Sequence, residues 1–231
     1  MYFCHSSRIW EEFPQLAAVL IVVDDIHPQV DVDLRLQPWY QRARERLSQG
    51  SESQMPEIAA WRRAYTQMGL KPTKYRSAAE ALLRRFKRED DLPRLHPLVD
   101  LCNAVSLAFA LPVAVFDLAQ VNSFLEVRHA TGEEEYLAFS DQVENPAADE
   151  VIFADAANQV HARRWTFRQS LRSTITPETS RVLIVSEGMH ETASADVSRL
   201  IGILAENITE LWTVPQQQAA LTANSPRLQF E

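Results

Sequence analysis

The chain has 231 residues, 46% of them hydrophobic and 23% charged, with a formal net charge of −8. That is ample apolar material for one large core or two small ones, and the acidic balance excludes a protein that coats nucleic acid over its whole surface. Its two cysteines, Cys4 and Cys102, have no CxxC spacing, which excludes a disulfide scaffold and a cysteine zinc site and is compatible with a reducing cytoplasm.

The most apolar run, Leu16 to Val23, is flanked by Glu11, Glu12, Asp24 and Asp25. It is far too short to span a bilayer and lacks a basic leader, so it predicts a core strand, not a membrane span or a signal peptide. Pro38 opens a predicted helix through Leu47, and Gln49 to Pro56 reads as a polar, turn-rich connection. Pro56 starts a helix to Met68, with Gly69 where a left-handed cap is wanted. Next comes the basic loop LKPTKYR, after which Ser77 and Glu80 form an S-x-x-E capping box for a helix through Phe86. Lys71, Lys74, Arg76 and that helix N-terminus together suit a phosphate, and they suit an ordinary exposed loop equally.

The most apolar helical pattern is LHPLVDLCNAVSLAFALPVAVFD, from Leu95 to Asp117. Pro97 fits the first turn, Leu98, Leu101, Cys102, Val105 and Phe109 recur at helical spacing, and Pro112 ends the helix before a core strand, Val113 to Phe116. Asn103, a neutral amide within this sweep, is either a structural hydrogen-bonding hub or a residue facing a pocket.

Phe124 to Ala130 alternates, and Tyr136 to Phe139 follows a Thr131–Gly132 turn, which predicts a hairpin. Val151 to Asp155 and Val160 to Phe167 are further strands, the latter running into Arg163, Arg164 and Trp165. Val182 to Val185 is a buried strand ending at Ser186–Glu187–Gly188, where Glu187 either rims a pocket or leaves into solvent. Ala195 to Trp212 is an amphipathic helix, and the glutamine- and alanine-rich residues 216–231 read as a weakly ordered tail. The fold class this predicts is α+β, with largely antiparallel sheets and packed helices in one domain over residues 1–215.

Charge is unevenly placed. Ten Lys or Arg stand against four Asp or Glu between Arg62 and Arg94, and seven acidic residues with no basic one lie between Gly132 and Glu150. The asymmetry could steer a polyanion to one face, or both stretches could be solvated surfaces. The chain has no GxGxxG, P-loop, HExxH or GxSxG motif, and its six histidines lack ligand spacing. They are therefore expected at surface or capping positions, with no metal site and no cofactor. The arginines of the Arg163–Arg164–Trp165 run could bind a carboxylate, a phosphate or the acidic segment around Glu133 to Glu135.

Five blocks together resemble a known family. They are WRRAYTQMGLKPTKYRSAAEALLRR, HPLVDLCNAVSLAFALPVAVFDL, LEVRHATGEEEYLAF, ADEVIFADAANQVHARRW and TITPETSRVLIVSEG, spanning Trp61 to Gly188. In order, spacing and chemistry the chain is similar to the B3/B4 domain of the phenylalanyl-tRNA synthetase β subunit, and more closely to free-standing B3/B4 proteins. The resemblance implies an editing-type site that binds the acceptor end of an aminoacyl-tRNA and hydrolyses a mischarged ester. It implies catalytic roles for Asn103 and Glu187, with Glu187 reading a side-chain hydroxyl. Substrate contacts would come from Cys102, Ala114, Arg163, Arg164 and Trp165, and RNA contacts from Lys71, Lys74, Tyr75 and Arg76. A pocket built to hydrogen-bond a hydroxyl can reject the analogue lacking it by about four to five orders of magnitude. The chain departs from the synthetase pattern at Ala114, where that pattern has histidine, and it lacks the synthetase's Gly–Gly segment. Two alternatives therefore stay open: a non-catalytic RNA-binding module and a small-molecule binder of free amino acids. A cytoplasmic protein without aminoacylating activity of its own is expected.

Overall fold

A computed structural model describes residues 1–231. In chain order its elements are β1 (Tyr2–His5), α1 (Ser7–Glu12), β2 (Ala17–Val23), α2 (Asp33–Ser48), α3 (Pro56–Gln67), α4 (Ala78–Glu89), α5 (Pro97–Phe109), β3 (Val113–Asp117), β4 (Phe124–His129), β5 (Glu135–Leu137), β6 (Val143–Glu144), β7 (Val151–Asp155), β8 (Gln159–Arg163), β9 (Arg168–Gln169), β10 (Val182–Gly188), α6 (Ala193–Leu211), β11 (Gln217–Leu221) and β12 (Arg227–Gln229). A four-stranded sheet runs β11-β2-β10-β3, and an eight-stranded sheet runs β12-β1-β4-β7-β8-β5-β6 with β9 paired to β8. Only the β1–β4 and β5–β8 ladders are parallel, so the fold is α+β with largely antiparallel sheets. No helix is long and apolar enough to cross a membrane.

The four-stranded sheet is buried on both faces, which is why its central strands β2 and β10 read as unbroken apolar runs. Strand periodicity sorts their side chains. Val19, Ile21 and Val23 of β2 and Val182 and Ile184 of β10 join a core with α2, α4, α5 and α6. Ala18, Leu20 and Val22 of β2, with Leu183 and Val185 of β10, enter a second core against the larger sheet, α1 and α3. The order is helices, small sheet, large sheet.

Several local expectations change. Helix α2 begins a turn before Pro38, at Asp33, whose N–H donates to the Asp31 carboxylate at 2.9 Å. Within the polar connection, Ser51 and Gln54 form a capping box around a short 3₁₀ turn whose Glu52 is buried beside Arg84. The expected hairpin does not form. β4 pairs with β1 and β7, while β5 pairs with β6 and β8. The residues after Pro215, expected as a weakly ordered tail, supply β11 along β2 and β12 along β1. Their backbones extend two sheet edges whose open N–H and C=O groups need partners.

The acidic stretch is partly internal. Glu134 is fully buried and accepts hydrogen bonds from Arg128 and from the N–H groups of Thr131 and Gly132. Burial alone would raise its pKa, but those backbone and arginine donors outweigh it and hold the group at about 2, below an ordinary glutamate value near 4.5. A depressed folded-state pKa contributes stability above the unfolded value and loses it as pH falls towards the folded one. Glu134→Gln should therefore be less stable than the parent at pH 7, and the gap should close between about pH 4.5 and pH 2. Denaturant midpoints measured across that range would check it, and a gap independent of pH would refute it.

Candidate functional site

The alternation that builds β10 also places its last polar side chain. Leu183, Val185 and Glu187 share one strand face, so Glu187 points between the sheets, where it is only 2% exposed. There it borders a cavity of about 60 Å³, lined by the buried Phe116, Phe153, Ala162, Trp165 and Val185 and by the less buried Ala78, Ala114 and Thr166 to Gln169.

A buried carboxylate needs donors, and Glu187 has two. The Trp165 indole N–H reaches both carboxylate oxygens at 3.0 Å. His5 Nε2, from β1, lies 2.6 Å from Oε1. Oε2 has only its share of the indole, so it keeps acceptor capacity for a further donor. Trp165 is itself fixed, with Phe13 and Trp61 edge-on to it at ring distances of 5.0 and 5.2 Å.

The turn that carries Trp165 is strained. Strand β8 stops at Arg163, short of the expected Phe167, because Arg164 and Trp165 both adopt left-handed backbone, with φ of 47° and 59°. Glycine would take these conformations freely, whereas each costs a bulky residue about 1–3 kcal/mol. The surroundings hold them: Trp165 N–H donates to Val151 O at 2.7 Å, and Tyr65 Oη donates to Arg164 O at 3.2 Å. Arg163 grips Glu150 through two bonds of 2.8 and 2.9 Å and also pairs with Glu144. Hydrogen bonds from the guanidinium to Glu150 raise the arginine's pKa further. Arg163 is thus buried and consumed by the acidic segment; it positions the turn and offers no free charge to a ligand.

At the cavity mouth the basic and aromatic side chains interleave. The Arg164 guanidinium lies 4.6 Å from the Tyr75 ring and 5.6 Å from Phe167. Tyr75 meets Phe167 edge-on at 5.4 Å, and Lys74 sits 5.1 Å from the Tyr75 ring. Arg168 flanks Phe167 at 5.8 Å. Of the two readings of the start of α4, a phosphate cradle and an ordinary exposed loop, the groups are arranged as the second. Ala78 N–H donates to Thr166 O, Ser77 Oγ takes the Glu80 N–H, and Arg76 turns to Thr73 O and Glu80. Glu80 does not complete a capping box, since its carboxylate pairs with Arg62 and Arg84. Lys71 and Lys74 remain exposed.

Of the residues singled out in the sequence, Glu187, Ala114 and Trp165 meet at the cavity, and Arg164, Tyr75 and Lys74 at its mouth. Asn103 and Cys102 do not join them. Both lie on α5, which packs on the opposite face of the small sheet; Cys102 is buried in that helical core, and Asn103 is half-buried with no side-chain hydrogen bond. Burial pushes the Cys102 thiol well above its ordinary range, as for a core cysteine.

His5 is the residue that sequence reasoning passed over. Expected at the surface or at a cap, it is 3% exposed; His161 and His190 are also buried, while His96, buried too, caps α5 as expected by accepting the Leu98 N–H. The strand YFCH carried the signal, because Phe3 and His5 share a parity and Phe3 is plainly a core residue. His5→Phe would leave Glu187 with the indole alone and should cost about 1–3 kcal/mol of stability. An unchanged unfolding midpoint would mean that the His5–Glu187 bond contributes nothing.

The model of the B3/4 domain family matches residues 60–209. No curated protein sequence matches the chain. Among solved structures, it is similar to an N-terminal fragment of the phenylalanyl-tRNA synthetase β-subunit from Pyrococcus horikoshii, with a TM-score of 0.45 and 9% identity over 90% of this chain and 48% of that one. The chain thus spans about half the length of that structure. With well over half of its residues inside the family match, the chain belongs to the B3/4 domain family.

Proposed function

We propose that this chain is an editing-type domain that receives the acceptor end of an aminoacyl-tRNA and hydrolyses the ester. The observation that carries the reading is the buried Glu187 carboxylate in an apolar inter-sheet cavity, beside which Arg164, Arg168 and Lys74 lie against the Tyr75 and Phe167 rings. Membership of the B3/4 domain family, and the sequence resemblance to the synthetase editing domain, support it.

Each part has a task. Tyr75 and Phe167 offer ring faces to an unpaired base, and Arg164, Arg168 and Lys74 offer charge to the terminal phosphates. The cavity takes the amino-acid side chain, with Ala114 leaving the entrance clear. Glu187 Oε2 accepts from a donor that enters: a water, an ammonium or a hydroxyl. In the reaction, a water oxygen adds to the ester carbonyl and the carbon–oxygen bond to the ribose breaks. The proton from water passes to the departing ribose oxygen, leaving a free amino acid and an intact tRNA. An activated ester asks mainly for a held water and a fixed geometry, which pinned side chains supply.

The competing reading is a module that binds RNA without reacting. It is favoured by Ala114 on the cavity wall and by the absence of any histidine among the lining residues. A panel of labelled aminoacyl-tRNAs separates the two. Editing requires selective release of one or a few members, falling on the order of 100-fold in Glu187→Gln. Binding with no release from any member would establish the module instead. In either case, Arg164→Ala and Lys74→Ala should weaken tRNA binding and lower its salt slope by roughly 0.7–0.9 for each phosphate no longer neutralised. A slope unaltered by both substitutions would remove the mouth cluster from the RNA interface.

A further inference from the structure

We infer that the amino acid this site takes has a small side chain, of the size of alanine or serine, and that aromatic ones are excluded. The inference rests on reading the cavity as an aminoacyl pocket and concerns its size, which is set by residues independent of the chemistry at the ester.

The cavity measures about 60 Å³. An apolar cavity that admits a benzene ring is about 150 Å³. The shortfall lies in the walls. Phe116 and Phe153 pack with ring centres 5.2 Å apart on one side, and the Trp165 indole takes up the other.

Those walls are not free to retreat. Trp165 is fully buried, wedged between Phe13 and Trp61, and its N–H is bound to both oxygens of Glu187. To swing out it would leave a buried carboxylate short of a donor and open a void in a close-packed core. Its backbone is locked by the Val151 bond and by the Arg163–Glu150 pair behind it. In effect the indole already occupies the place where an incoming ring would contact Glu187, and its N–H makes the hydrogen bond that a ring hydroxyl would otherwise make. What remains is room for a few heavy atoms beside Oε2, reached past the small side chain of Ala114.

Amide-linked aminoacyl-adenosine analogues, which cannot hydrolyse, test size apart from reaction. Titrated calorimetrically into the full chain, the alanyl and seryl analogues should bind at least about tenfold more tightly than the phenylalanyl and tyrosyl ones. Ala114→Leu, at a half-buried position by the entrance, should abolish binding of the small analogues while leaving the fold intact. Trp165→Ala, where it folds, should reverse the preference towards the aromatic analogues. Aromatic analogues that bind the unmodified chain as tightly as the small ones would overturn the inference. Selective binding of small analogues with no ester hydrolysis in the tRNA panel would uphold the size limit and discard the editing reaction. Failure of every analogue to bind would discard both.

Discussion

Everything about this site follows from one constraint: the small sheet is covered on both sides, so each residue of its central strands belongs wholly to one core or to the other. The Val182-to-Gly188 strand alternates between them without a break. Val182 and Ile184 face the helices, while Leu183 and Val185 face the second sheet. Gly188 returns to the helical side, where an added Cβ would come within 3.1 to 3.3 Å of Ala193, Leu111 and Val197. A slip of one residue would send Glu187 into the helical core with no donor to meet it. The same constraint separates Asn103 from Glu187, since a sheet stands between the helix bearing one and the cavity holding the other.

Charge in this chain is largely spent on holding its own turns. Glu150 and Glu144 meet Arg163, Glu134 meets Arg128, and Glu80 gathers Arg62 and Arg84. Several of these carboxylates are buried, where a lone charge would be costly and an arginine with multiple donors is a suitable partner. Such pairs cancel, so the formal charge of −8 rests on the groups outside them. Of the cations beside the cavity, Lys74 and Arg168 have no carboxylate partner and Arg164 shares Glu150 at 3.7 Å; all three lie against aromatic rings, a placement suited to a ligand that is both flat and anionic.

Much of the architecture was legible in the sequence, and the reasons are specific. The apolar runs at Leu16–Val23 and Val182–Val185 announced core strands, and Pro56, Pro97 and Ser77 marked helix starts that the structure keeps. Partner choice was not legible. The alternating Phe124–His129 segment reads the same whether it pairs with its sequence neighbour or with Tyr2–His5, because alternation reports which face is wet and not which strand lies alongside. The left-handed pair at Arg164 and Trp165 was hidden for a different reason: local propensity argues against it, and only the distant Val151 and Tyr65 contacts make it tolerable. Motif order brought Glu187, Ala114 and Trp165 into the candidate set, but it also brought Asn103 and Cys102, which no pattern along the chain could show to lie on the far side of a sheet.

The bond between His5 and Glu187 joins residues 182 positions apart. Loop closure over such a span must be met before the contact gives anything back, and topologies rich in distant pairings fold slowly for that reason. The strand bearing His5 lies parallel to one partner from mid-chain and antiparallel to another near residue 228. The small sheet is no more local, since Ala17–Val23 pairs with Val182–Gly188 and Gln217–Leu221, and the cavity's carboxylate acquires its full set of donors only once the strand bearing His5 has docked as well. Core and pocket alike therefore wait on pairing between the two ends of the chain, which ties the appearance of ligand binding to completion of the whole structure.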